Sequence, residues 1–491
     1  MSPSASSASP GEQTASVDPG HLVLLEILDE SGLRFSHKLL WFAAAGGMLL
    51  DGLSVFMLGI AIPFLVKDFR LSSVQISLTS SSLLLGAVLG AMAGGRFADK
   101  FGRKTWLLVD SVGLALAALV CALASGAGVL ITGQFLLGTA IGMDFPVGSS
   151  EIAECMPVRS RSRAMVAAMT LQAVGMLVGA GTSFLLLEQR PGIPAWRLFF
   201  LSEVLLALLF LLLRFIIPES PRWLMAKGRN REAGRAIRWI VRDHDPRLET
   251  AIEHLGDTPH VAMKPLSKPR SSGFQTLLDP AYWRRTLLAS VPWFMLDVAA
   301  YGVGLFTVVL LQALRLGATE GRDSLSLLVI RGGAVDSFLL VGFLIGAWAV
   351  PRWGAVRMQI VGFAGMLIGL GLLALSALVR DPAVRWPGLL ISFMVFNLSM
   401  NAGPNSTTYL LPSELFPTNV RGTGAGFAAS VAKLGATLGV FLIPLLEHGG
   451  GFEAVLAFLA VVTLAGLGAT VHYRVSGLGR GLESHHEASM D

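Results

Sequence analysis

The chain has 491 residues, of which 53% are hydrophobic and only 14% are charged, with a formal net charge of +5. Soluble domains carry roughly 25% charged residues, so this composition excludes a string of ordinary soluble domains. Two cysteines, Cys121 and Cys155, give no disulfide framework. The sequence contains no HExxH, GxSxG or P-loop motif and no cluster of histidines. We therefore expect neither an enzyme nor a cofactor or metal site, and we do not expect nucleic acid as a partner.

Twelve apolar segments follow one another along the chain, and each approaches the roughly 20 residues that cross a bilayer as a helix. The stretch 325–333 can either begin the eighth segment or form a short separate helix. The pattern predicts an all-α membrane protein with twelve transmembrane helices. The predicted segments are 39–66, 74–98, 105–124, 128–150, 163–187, 194–217, 286–313, 333–352, 356–379, 386–411, 422–447 and 452–474.

A short charged motif, E-x-x-P-x-x-x-R, occurs once in each half of the chain. It runs from Glu154 to Arg161 and again from Glu414 to Arg421, each time after the fourth apolar segment of its half. Such a repeat indicates two pseudo-symmetric six-helix bundles that rock around a central site. The predicted divisions are an N-terminal tail (1–38), a first bundle (39–217), a linker loop (218–285), a second bundle (286–474) and a C-terminal tail (475–491).

The distribution of Lys and Arg predicts the orientation. Basic residues concentrate in the loops after segments 2, 4 and 6, whereas the loops after segments 3 and 11 contain none. The positive-inside rule then places both termini and the linker in the cytoplasm of a multi-pass plasma membrane protein, which in a bacterium is the inner membrane. The basic stretch 229–242 has a helical pattern. We interpret it as a solvated surface facing the lipid headgroups, with a regulatory site as the alternative.

The loop between segments 2 and 3 reads G-x-x-x-D-x-x-G-R-K and resembles the signature loop of the major facilitator superfamily. A tight turn needs glycine, and a carboxylate with basic neighbours can latch onto helix ends in one state and release them in another. The string Pro218–Trp223 resembles a junction of sugar porters. Taken together, the resemblance to the superfamily extends from about residue 38 to 474. We predict conformational gating by this loop and by the repeated motif, through Gly95, Asp99, Gly102, Arg103, Glu154, Arg161, Glu414 and Arg421.

Charged residues inside the apolar segments are costly and mark functional positions. Asp51 lies in segment 1, Asp144 near the end of segment 4 and Lys433 half-way along segment 11. Asp297 lies in segment 7 at helical spacing from Trp293 and Tyr301, on one face. A carboxylate that alternates between dry and paired surroundings can carry a proton across. We predict proton coupling by Asp51, Asp144 and Asp297.

Segments 4, 7 and 10–11 resemble, in more detail, the proton-coupled inorganic phosphate symporter branch of the superfamily. Three departures from that branch make the pocket less polar: Phe145 replaces a tyrosine, Ser54 replaces a carboxylate and Gln134 replaces an arginine. An organic metabolite such as a carboxylate or polyol is therefore a rival to phosphate. The substrate pocket that the resemblance implies consists of Gln172, Trp293, Asp297, Tyr301, Asn405 and Lys433.

The sequence thus predicts a monomeric secondary transporter whose partners are a small solute, protons and the bilayer. Its main function would be proton symport of a small polar or anionic solute, either phosphate or a small organic metabolite. Transport of a sugar, polyol or aromatic acid is the alternative within the superfamily, and a transport-dead nutrient sensor is a third possibility. A channel is disfavoured because the segments carry isolated polar residues and no continuous polar lining.

Overall fold

The structure is a computed structural model that describes residues 19–188, 193–242, 245–256, 273–313, 322–379 and 381–475. Within these ranges, the side chains of 302–313 and 322–337 and a few others lie outside the described set. Residues 1–18 of the predicted N-terminal tail and 476–491 of the predicted C-terminal tail also fall outside it. Every regular element in the described ranges is a helix, which confirms the predicted all-α class.

The first half of the chain forms eight helices and the second half six, joined by four short helices. The first eight are α1 (Pro19–Glu30), α2 (Phe35–Ala44), α3 (Gly46–Phe69), α4 (Ser73–Phe101), α5 (Arg103–Ala122), α6 (Ala127–Cys155), α7 (Val158–Glu188) and α8 (Ala195–Ile216). The short helices are α9 (Pro221–Ala226), α10 (Asn230–Val241), α11 (Pro246–Leu255) and α12 (Phe274–Leu277). The last six are α13 (Trp283–Ala313), α14 (Arg322–Trp353), α15 (Ala355–Leu378), α16 (Pro382–Ala402), α17 (Pro404–Leu415) and α18 (Arg421–His472).

These helices account for all twelve predicted segments. In the part of the chain that the structure describes, ten stretches are long and apolar enough to cross a membrane. The helices α13 and α14, with 31 and 32 residues, cover the two remaining segments. Because α14 begins at Arg322, the stretch 325–333 is the start of the eighth helix, which settles the alternative left open by the sequence.

One predicted span is broken where the sequence reads as one apolar run, and one helix covers two predicted spans. Segment 10 divides at Gly403, whose φ of −106° and ψ of −103° end α16, and Pro404 then starts α17. Proline suits a first helical position because its missing N–H would have no partner there. The long helix α18 turns at Gly451, where φ is 67°, so its two parts form the last two spans.

The interior consists of one large apolar core within the bundles and a second, smaller core outside them. The smaller core joins α1 to α9, α10 and α11 through residues such as Leu24, Trp223, Ile237 and Leu248. The stretch 229–242 is helical, as predicted, and its arginines Arg231, Arg235 and Arg238 are exposed. Its opposite face packs against α1, which the interpretation as a purely solvated surface did not anticipate.

Candidate transport site and gate

A buried lysine lies at the centre of the predicted substrate pocket. The ammonium group of Lys433 donates a hydrogen bond of 3.1 Å to the hydroxyl of Tyr301 and lies 4.8 Å from the centre of the Phe145 ring. It also interacts electrostatically with Asp51 and Asp297. Lys433, Asp51 and Asp297 are only 4%, 3% and 6% exposed. Four residues predicted from the sequence therefore meet at one site.

The two carboxylates come from different halves of the chain. Asp51 belongs to α3 and accepts a hydrogen bond of 2.6 Å from the side-chain amide of Gln172 on α7, a helix that packs against α3. Asp297 belongs to α13 and interacts with the indole of Trp293, one turn earlier. The predicted shared face of Trp293, Asp297 and Tyr301 is thus present. Lys433 lies within electrostatic range of one acid from each bundle.

Aromatic side chains from both bundles pack beside this charged group. The Phe145 ring of α6 lies 6.5 Å from the Trp293 ring and 6.3 Å from the Tyr409 ring of α17, measured between ring centres. Phe145, Trp293 and Tyr409 are all buried. Phe145 stands where the phosphate symporter branch has a tyrosine, so its ring brings no hydroxyl donor to this part of the pocket. The ring instead makes a cation–π contact with Lys433.

Asn405 and Asp144, two further predicted site residues, bind partners of their own. The amide of Asn405 donates to the side-chain oxygen of Asn401 at 2.8 Å, across the break at Gly403. Asp144 forms an ion pair with Arg214 of α8, and Arg214 also donates to Asp110 at 2.5 Å. The structure therefore places Asp144 in a second buried charge cluster within the first half. Its predicted role in proton coupling stays a prediction.

A further buried acid, Glu203 of α8, was missed by the sequence reasoning. Its carboxylate accepts a hydrogen bond of 3.2 Å from Ser54, and its second oxygen has no hydrogen-bond partner among the described residues. Nearby, the amide of Gln134 contacts the sulfur of Cys121 at 3.6 Å. Glu203 and Arg214 are charged residues inside an apolar segment, so the rule that identified Asp51 could have found both.

The predicted gating loop joins the two halves at the face that carries the basic loops, called here the basic face. Asp99 at the end of α4 accepts hydrogen bonds from the backbone N–H groups of Gly422 and Thr423, at 3.1 and 2.7 Å, and from the Thr423 hydroxyl at 2.7 Å. These N–H groups open α18 and have no acceptor within the helix. A carboxylate there also complements the positive end of the helix dipole. Asp99 thus caps a helix of the opposite bundle.

Glu154 is the centre of the charged network at the basic face. It accepts from Arg103 at 2.8 Å and from Arg421 at 2.7 Å, so the acid of the first repeated motif binds the arginine of the second. Arg103 also forms an ion pair with Asp99 at 3.0 Å and donates to the carbonyl of Thr418 at 2.8 Å. The side chains of Glu154, Arg103 and Arg421 are buried.

The second motif makes a weaker contact of the same kind. Glu414 accepts a hydrogen bond of 3.1 Å from Ser162, and Arg161 lies close enough to interact with it electrostatically. Arg161 itself pairs with Asp29 of α1 at 2.7 Å. The two motifs therefore lie on the same face and contact each other, as two related halves require.

Two glycines of the signature loop make these contacts possible. A Cβ atom on Gly95 would lie only 2.0 Å from the carbonyl oxygen of Gly422, so α4 and α18 cross where only glycine fits. Gly102 has a φ of 111°, a conformation that side chains disfavour. This turn presents the N–H groups of Arg103 and Lys104 to Glu219 at 2.7 and 3.1 Å. Burial raises the pKa of Glu219, although these backbone hydrogen bonds oppose the rise.

Comparison with known proteins identifies the family. The family model described as "Sugar (and other) transporter" matches residues 43–488. The chain belongs to this family. It is 28% identical over 440 residues to the inner membrane metabolite transport protein YgcS of Escherichia coli, covering 89% of this chain and 91% of YgcS. It is 27% identical over 459 residues to the niacin transporter NiaP of Acinetobacter baylyi, covering 92% and 96%.

A solved structure supports the fold at lower sequence identity. The proton:xylose symporter XylE of E. coli, bound to 6-bromo-6-deoxy-D-glucose, has a TM-score of 0.75 at 21% identity, covering 92% of this chain and 98% of XylE. The fold is therefore that of the major facilitator superfamily, and the protein is a multi-pass membrane transporter of sugars or metabolites. The finer resemblance to phosphate symporters finds no specific support in these comparisons.

The contacts of Asp99 lead to a prediction about gating. Asp99→Ala removes the cap of α18 and one acid of the buried network, and we expect transport to fall by roughly ten-fold or more while substrate affinity in detergent stays within about two-fold. The reason is that we expect the loop to act on the populations of two states and not on the substrate. Uptake into proteoliposomes and binding to the purified protein measure the two effects. Unchanged uptake in both Asp99→Ala and Arg103→Ala would show that the loop is only a surface turn without a role in gating.

Proposed function

We propose that the protein is a proton symporter for a small organic anion, which Lys433 binds and whose entry is coupled to protons on Asp297 and Asp51. The observation that carries the proposal is one buried cation within electrostatic range of a carboxylate from each bundle. A group shared by both bundles is suited to sense their relative movement. In alternating access, opening the bundles at one face would change the distance from Lys433 to each acid.

Charge balance gives the reason for coupling. With both acids ionised, the site holds one positive and two negative charges. An arriving anion adds negative charge to a buried site, where an uncompensated charge is costly. Proton uptake by Asp297 or Asp51 offsets that charge and frees the ammonium group of Lys433 for the anion. When the anion leaves, Lys433 again favours the ionised forms of Asp297 and Asp51, so the proton is released as well.

The lining favours a carboxylate on a flat ring over inorganic phosphate. Phosphate needs many donors, whereas the wall beside Lys433 is formed by the rings of Phe145, Trp293 and Tyr409. An ammonium group pairs with a carboxylate, and aromatic rings pack on another ring at little cost in conformational freedom. Among the relatives, NiaP is a transporter of niacin, an aromatic carboxylate. Gln172, which donates to Asp51, supplies an amide donor.

A neutral sugar or polyol is the second candidate. Lys433 already has counter-charges in Asp51 and Asp297, and a neutral substrate would leave that balance undisturbed. Gln172 and Tyr301 carry the amide and hydroxyl groups that bind sugar hydroxyls. XylE, which shares the fold, transports xylose together with protons.

The remaining expectations follow the same proposal. The bundles 39–217 and 286–474 would move as units, with the basic face towards the cytoplasm of the inner membrane and with one chain as the functional unit. Since the halves are joined at the basic face by Glu154–Arg421 and Asp99–Thr423, the structure corresponds to a state closed towards the cytoplasm under this orientation.

A ligand panel tests the proposed substrate class. Nicotinate, benzoate, xylose, myo-inositol and phosphate are added separately to the purified protein, and the melting temperature is recorded, because a ligand of the folded state raises it. We expect nicotinate or benzoate to raise it and to be accumulated by proteoliposomes. A response to xylose or inositol alone would favour the second candidate, and a response to phosphate alone would contradict both. Binding without uptake would indicate a sensor.

A further inference from the structure

The N-terminal helix α1 is attached to the gate by a single acidic side chain. One carboxylate oxygen of Asp29 accepts from Arg161 at 2.7 Å, and the other accepts from Arg222 at 2.6 Å. Arg161 begins α7 in the repeated motif, and Arg222 belongs to α9 of the linker. Both arginines are buried, and the Asp29 side chain is 17% exposed.

This carboxylate continues into the network that joins the two halves. Arg222 also donates to the backbone carbonyl of Glu154 at 3.3 Å, and the side chain of Glu154 binds Arg103 and Arg421. A continuous set of hydrogen bonds thus runs from α1 through α9 and the end of α6 to the start of α18. The bonds from Asp29 to Glu154 lie within the first half and the linker. The Glu154–Arg421 ion pair then crosses between the bundles.

Apolar contacts hold α1 in the position that this network requires. Leu24 and Leu28 are fully buried, and Leu24 belongs to the small core with α9, α10 and α11. The ring of His21 forms a hydrogen bond of 3.0 Å with Asn230 at the start of α10. The hydroxyl of Ser36, in the following helix, donates to the carbonyl of Ile240 at the other end of α10. The N-terminal segment and the linker therefore form one packed unit beneath the gate.

We propose that Asp29 is a positioning residue of the gate, through which α1 holds the start of α7 and the linker in the arrangement that keeps the basic face closed. Opening this face separates Glu154 from Arg421, and the arginines that Asp29 fixes lie beside that pair. Asp29 would therefore stabilise the closed state over the open one. This role is independent of the substrate and would apply to any solute that the protein transports.

The two native cysteines provide reporters for the test. Cys155 is fully buried at the end of α6, next to Glu154, and Cys121 is fully buried inside the first bundle. In a Cys121→Ser background, N-ethylmaleimide reacts with Cys155 only when the gate region opens. In a Cys155→Ser background, reaction at Cys121 reports general loosening of the bundle. Labelling is followed over time with the full chain in proteoliposomes.

Asp29→Asn keeps the shape of the side chain and removes its charge. We expect it to increase the labelling rate of Cys155 by roughly five-fold or more, the usual lower range for coupling between sites, with little change at Cys121. Glu30→Gln, an exposed acid next to it on α1, should label at the parent rate, and Asp29→Glu should restore slow labelling. Asp99→Asn serves as the positive control for gate opening.

Two results would overturn the proposal. If Asp99→Asn accelerates labelling of Cys155 and Asp29→Asn does not, then α1 has no part in closing the gate. If Asp29→Asn accelerates Cys121 and Cys155 equally, then Asp29 supports the fold in general and does not act on the gate.

Discussion

Replacing Lys433 with methionine should abolish transport. The variant retains an unbranched side chain of similar length and loses the only positive charge described as interacting with both Asp51 and Asp297. Breaking a buried charge pair by removing one partner costs about 3–5 kcal/mol. We expect a loss of similar size in the binding of the anion, which at about 1.4 kcal/mol per ten-fold lowers uptake at limiting substrate by roughly 100-fold or more. Initial uptake into proteoliposomes, with the substrate identified by the ligand panel, measures the effect.

Lys67→Met is the matched control for this variant. Lys67 lies near the end of α3 and is exposed, so its replacement should leave uptake within about two-fold of the parent. Binding of the purified protein should separate the two candidate substrates. An anion should lose its affinity for Lys433→Met, whereas a neutral sugar should retain most of its own. Normal uptake by Lys433→Met would show that Lys433 has no role in transport.

Asp297→Asn should separate substrate movement from proton movement. Asparagine resembles a permanently protonated aspartate, so we expect accumulation driven by a pH gradient to fall by roughly 100-fold. Exchange of labelled for unlabelled substrate should continue, because exchange needs no net release of a proton. The gradient-driven uptake and the exchange rate are measured on the same proteoliposomes. Asp51→Asn should show a milder loss, with uptake less sensitive to external pH.

Asp381→Asn provides the control for changes from carboxylate to amide. Asp381 caps the start of α16 through a hydrogen bond of 2.9 Å to the N–H of Ala383, and asparagine caps a helix about as well as aspartate does. Both transport modes should therefore stay at the parent level. If Asp297→Asn accumulates substrate as well as the parent does, the coupling site lies elsewhere, with Asp144 and Glu203 as the next acids to test.

The parts of the fold and site that could be predicted are those that depend on short-range pattern. Apolar length identified the spans, and helical spacing placed Trp293, Asp297 and Tyr301 on one face. The repeated motif correctly indicated that Glu154 and Arg421 share a face, because related halves place equivalent loops together. The high cost of charge in a membrane identified Asp51 and Lys433, since such groups need polar partners.

What could not be predicted depends on contacts between residues far apart in the chain. Asp144, like Asp297, is an acid inside an apolar segment, yet only the packing of α5, α6 and α8 shows that it pairs with Arg214, which also binds Asp110. Asp29 lies in an ordinary amphipathic segment, and nothing local indicates that it binds Arg161 and Arg222. The break at Gly403 was also missed, because an apolar run does not reveal where a backbone departs from the helix.

Proton flux during substrate uptake is the measurement that distinguishes proton symport from uncoupled transport. Proteoliposomes containing the parent protein are placed at equal internal and external pH without a membrane potential, and substrate is added outside while external pH is recorded. If each substrate molecule enters with a proton, the medium becomes more alkaline as substrate enters, a protonophore abolishes the signal, and Asp297→Asn gives none. Substrate entry by the parent with no change in external pH, at the same rate with and without the protonophore, would contradict proton symport.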